Sequence, residues 1–101
     1  MTELPQFIDG ARVLRVATLL GTTPTGRARH TIGGHVVDGF AGLAIAQYDT
    51  DPGVHLFYCD AAWNCVTDTW HDDVAGAVEQ ARYEFDPIEF VDVPASDTTA
   101  R

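Results

Sequence analysis

Residues 54–87 read VHLFYCD-AAWN-CVTDTWH-DDVAGAVEQARYEF-DP, two strand-like runs followed by a helical one. Val54 to Asp60 and Cys65 to His71 are rich in β-branched and aromatic residues, with Ala61-Ala62-Trp63-Asn64 between them. That pattern predicts a β-hairpin over 54–71. Asp73 then stands where a helix N-cap belongs, and Asp72 adds negative charge near the positive end of the dipole. Val74, Ala77, Val78, Ala81 and Phe85 recur at helical spacing, which predicts a helix through Phe85 with one apolar stripe facing a sheet. Pro87 stops it.

Upstream of the hairpin, Asp49-Thr50-Asp51-Pro52-Gly53 is a turn in which each residue has a turn-forming reason, and Leu43 to Tyr48 reads as the strand before it. Arg12 to Leu20 alternates with both faces fairly apolar, as a strand inside a sheet does. Gly33-Gly34, between Thr31-Ile32 and His35-Val36-Val37, signals a tight hairpin of the primed turn types. Glu89 to Val93 reads as a short final strand, while residues 1–10 and 94–101 read as a poorly ordered arm and tail. The expected fold is α+β: an antiparallel sheet of about five or six strands in a single domain over 1–101, with one helix packed on one face. One helix cannot cover such a sheet, so its second face must stay solvated, curl on itself or pair with another copy.

The chain has 101 residues, enough for one core, and a net charge of −9. Residues 1–35 hold four Arg and two acids, whereas residues 36–101 hold two Arg and thirteen acids. A surface this acidic repels nucleic-acid phosphate and anionic lipid, so neither nucleic acid nor membrane is an expected partner. Such a charge serves solubility or, on the sharper reading, complements a basic partner. No Lys is present, which removes lysine-based chemistry, and the only Ser is Ser96 in the tail. The N-terminus shows no basic stretch followed by an apolar run, so a cytoplasmic location is expected, with Cys59 and Cys65 as free thiols.

No complete catalytic, cofactor or metal constellation emerges. Gly21 to Ala28 (GTTPTGRA) spaces its glycines like a phosphate-binding loop, but Arg27 stands at the lysine position and Ala28 at the hydroxyl position. His55 and His71 lie too far along their strands from Cys59 and Cys65 for all four to meet one zinc ion. Asp60 beside Cys59 disfavours a reactive thiolate. Two groups remain. Trp63, flanked by Asp60 and Asn64 at the hairpin tip, is a candidate partner anchor, with folding back over the sheet or helix as the competing reading. Arg27, Arg29 and His30 form a basic cluster and are the candidate anion site.

Gly42-Leu43-Ala44-Ile45-Ala46-Gln47-Tyr48, Leu56 to Asn64, Asp68-Thr69-Trp70-His71 and Gln80-Ala81-Arg82-Tyr83-Glu84-Phe85 together resemble a group of small uncharacterised bacterial proteins of about this length with a strand–strand–helix ending. The resemblance covers a little under half the chain and implies no activity and no catalytic residues. Small acidic α+β proteins also occur among toxin-immunity proteins, a likeness of type. The expected function is a non-enzymatic protein-interaction module, an immunity-like inhibitor of a basic partner. The alternatives are a self-associating structural or accessory protein, such as a homodimer, and a small anion-binding domain or enzyme.

Overall fold

The computed structural model describes residues 4–94. In chain order the elements are β1 (Phe7–Ile8), β2 (Ala11–Thr18), β3 (Thr23–Pro24), β4 (His30–Ile32), β5 (His35–Val37), β6 (Gly42–Gln47), β7 (Val54–Cys59), β8 (Cys65–His71), α1 (Val74–Glu84), β9 (Phe85–Asp86) and β10 (Val91–Asp92). The main sheet runs β1-β2-β6-β7-β8, with β10 pairing the other half of the β2 edge that β1 uses. Every pairing is antiparallel, and the α+β expectation of a five- to six-stranded sheet with one helix holds.

Local chemistry accounts for the elements that matter most. Strands β7 and β8 match the hairpin expected over 54–71. Asp73 caps the helix, its carboxylate accepting from the Gly76 N–H at 2.8 Å. Gly33 and Gly34 both have positive φ (60° and 84°), as a type I′ turn between β4 and β5 requires. Strand β2 is internal, flanked by β6 on one side and by β1 and β10 on the other.

The leading arm differs from expectation. Residues 7–8 are not loose but form β1, because Asp9 (φ 51°) and Gly10 (φ 84°) make a tight turn that folds the chain back onto β2. Residues 1–3 and the tail from 95 onward lie outside the described residues; the final strand narrows to Val91–Asp92.

The central strands β6 and β7 are buried on both faces. On the helix side, Leu43, Ile45, Leu56 and Tyr58 pack with Ala77, Ala81 and Phe85. Two alanines on the contact stripe let the helix backbone approach the sheet closely. On the other side, Ala44, Ala46, Phe57 and Cys59 are covered by Ile8, Val93 and Trp63. Of the three fates open to this second face, the sheet curls and closes it with its own edge elements. Among the described residues no helix is long and apolar enough to cross a membrane.

Candidate functional site

Trp63 does not stand at the hairpin tip as an anchor. Asp60 Oδ1 accepts from the N–H groups of Ala62 and Asn64, both at 2.9 Å, and Oδ2 accepts from the Asn64 amide at 3.2 Å. The Trp63 N–H closes a turn on the Asp60 carbonyl at 3.0 Å, and Trp63 takes a left-handed backbone (φ 66°) that turns its indole into the core, where it is 5% exposed. A three-residue loop of this kind ordinarily has glycine at its last position. Trp63 thus folds back into the core, while Asp60, half-buried, and Asn64, exposed, build the loop around it. The same hydrogen bonds, first from the Asn64 backbone and then its side chain, hold the Asp60 carboxyl below its ordinary value.

The exposed tryptophan is Trp70, at 49%. It lies on edge strand β8 opposite His55, and its ring rests on the Gly53 backbone, where a Cβ would come within 2.3 Å of it. Its indole N–H donates to both oxygens of Asp51, at 3.1 and 3.2 Å. Asp51 also accepts from the Gly53 N–H at 2.9 Å, the main reason its carboxyl stays below the ordinary value, with Trp70 next. His55 sits between two carboxylates: Nδ1 is 2.8 Å from Asp68 Oδ2, and Nε2 is 3.2 Å from Asp51 Oδ2. Trp70, Val66, Asp51 and Asp68 thus form a half-apolar, acidic patch beside an open strand edge.

A second cluster lies under the helix end. Glu84, the last residue of α1, is 5% exposed. One carboxylate oxygen is 2.7 Å from His30 Nε2; the other accepts from the Gln80 amide at 2.6 Å and from the Tyr58 hydroxyl. Burial first, and the Glu84 carboxylate second, push the Tyr58 hydroxyl well above its ordinary value. Thr25 ties the loop before β4 to the helix end: its N–H donates to the Glu84 carbonyl at 2.8 Å, and its hydroxyl to the Tyr83 carbonyl at 2.6 Å. A cavity of about 300 Å³ opens above this cluster, lined by Arg29, His30, Asp38, Phe40, Glu84 and Phe85 among others.

Of the basic trio expected at this loop, Arg29 and His30 line the cavity, while Arg27 stacks over the Tyr83 ring at 5.5 Å. Glu84 is the residue that sequence reasoning missed. Its signal is its spacing: it falls on the stripe of Ala77 and Ala81, where a carboxylate interrupts an apolar face. Cys59 and Cys65 stand opposite each other across β7 and β8. Comparison with protein families, curated proteins and solved structures found no match to this chain.

Proposed function

We propose that the chain is a non-enzymatic binding module that covers the surface of a basic protein partner, as an immunity-like inhibitor does, and that it acts in the cytoplasm. The observation that supports this reading is Trp70. A half-exposed tryptophan, fixed by Asp51 and set among acidic side chains, has the size and rigidity of an interface anchor. It takes the place that sequence reasoning assigned to Trp63. Strand β8 carries no proline, lysine or arginine that would block an added strand.

Charge selects the partner. An antiparallel pairing of β8 with its own copy, centred on Asp68, sets Asp68 against the same residue of the copy, and two molecules of charge −9 repel. A basic segment meets the opposite condition, and its encounter is accelerated. The test is size-exclusion chromatography of the purified chain with the purified products of neighbouring genes. The expected result is a complex that weakens with salt and is lost in Trp70→Ala, while the chain alone scatters light as a monomer. Absence of any complex with those products, or a stable homodimer held through β8, overturns the reading.

A further inference from the structure

The cavity over Glu84 and the protein-binding patch are separate features, and the cavity has its own chemistry. Glu84 is held by three donors: the Tyr58 hydroxyl, the Gln80 amide and His30 Nε2. Its charge is therefore already engaged within the protein. The His30 ring packs edge-on against Phe40, at 5.7 Å between centroids, and at a tilt against Tyr58 at 4.2 Å. With Nε2 committed to the carboxylate, Nδ1 is the ring atom left for another polar group. It makes no hydrogen bond among the described residues.

Arg29 lines the same cavity, and its guanidinium makes neither an ion pair nor a hydrogen bond among the described residues, although Asp38 also lines the cavity. An uncommitted guanidinium supplies N–H donors for a carboxylate or phosphoryl group, while an imidazole whose Nε2–H faces Glu84 leaves Nδ1 as an acceptor. Phe40, Phe85, Val36 and Val37 supply an apolar wall. A volume of about 300 Å³ is at the small end of ligand sites, too small for a large cofactor.

We propose that this cavity binds a small organic anion, its carboxylate or phosphoryl oxygens held by the Arg29 guanidinium and its apolar body against Phe40 and Phe85. Asp38 then turns away ligands that carry two negative groups. The shared chemistry is an oxyanion on a compact apolar body, and the test separates the two sources.

The experiment is isothermal titration of the intact chain with benzoate, phenyl phosphate and, as the opposite charge on a similar body, benzylamine. Benzoate or phenyl phosphate is expected to bind, and whichever does so more tightly identifies the source of the oxyanion. Arg29→Gln, at an exposed position outside the core, is expected to weaken that binding about tenfold or more with the thermal midpoint of the free protein unchanged. Binding of benzylamine in preference to both anions, no binding of either anion, or equal anion binding in Arg29→Gln overturns the proposal. None of these outcomes bears on the Trp70 surface.

Discussion

The indole of Trp63 rests on Gly42: a Cβ placed on that glycine would lie 2.7 Å from both Cη2 and Cζ3 of the ring. The contact ties the hairpin loop to the start of β6 across the second face of the sheet, and nothing larger than glycine fits beneath the ring. Gly42→Ala is expected to destabilise the fold by about 1–3 kcal/mol by overpacking. Trp63→Ala removes a buried aromatic and is expected to cost about 3–5 kcal/mol. Trp63→Gly discriminates further. Its side chain is smaller still, yet it relieves the left-handed backbone at φ 66°, so it is expected to be more stable than Trp63→Ala by about 1 kcal/mol. Urea denaturation of the three variants measures all of these, and Trp63→Gly falling below Trp63→Ala would contradict the backbone argument.

The Glu84 cluster fixes the end of α1 to β7 and to β4. Tyr58→Phe keeps the ring and its packing but deletes one donor to a nearly buried carboxylate. It is expected to cost about 1–3 kcal/mol, the penalty of a buried group left short of a partner. In a double-mutant cycle with Glu84→Gln, the Tyr58→Phe cost is expected to shrink, because a neutral amide tolerates the missing hydroxyl better than a carboxylate does. Additive costs would show that the two side chains act independently.

The hairpin over 54–71, the helix cap at Asp73 and the Gly33-Gly34 turn were legible because each is specified by neighbours in the chain: alternation, an N-cap side chain, two glycines in sequence. The two-residue strands β1, β3 and β9 were not. Thr23–Pro24 pairs with Phe85–Asp86 beside Thr25, whose hydrogen bonds to the helix end join residues far apart in sequence. The direction of Trp63 was equally hidden, since the loop AAWN carries no glycine to mark a left-handed position. Arg29 and His30 were legible as a basic cluster, but the cavity beside them depends on Glu84, whose partners come from β4, β7 and one turn earlier on the helix.

The two thiols are expected to be inert in the folded protein. Burial, with Cys65 as the nearest further influence, pushes the Cys59 thiol up to about 12, and burial with Asp68 pushes Cys65 up to about 11. At pH 8 almost no thiolate is present on either, and the thiolate is the reactive form. Ellman's reagent under native conditions is expected to label both orders of magnitude more slowly than a free cysteine. In denaturant both should react at once. Fast native labelling would place Cys59 outside the core or contradict the partial burial of Cys65.

Acid is expected to weaken the fold in two windows with separate causes. Burial holds His71 below its ordinary value of 6.5, so the folded protein resists the proton that the unfolded chain accepts. The unfolded state then binds more protons, and the stability contributed by neutral His71 is complete above about pH 6.5 and declines as pH falls below it. Glu84 and Asp72 oppose this shift, and the neighbouring His55 reinforces it. Asp51 and Asp60 are held below 3.8 by their turn hydrogen bonds, so their contribution is present above that value and disappears as pH falls through the folded values. Denaturation curves from pH 8 to pH 3 for the wild type and His71→Gln separate the windows, because titrating groups that do not interact with His71 cancel in the difference. The difference is expected to be flat above pH 6.5 and to shrink below it. A difference that grows on acidification would mean that folding raises the basicity of His71, and the burial argument would have the wrong sign.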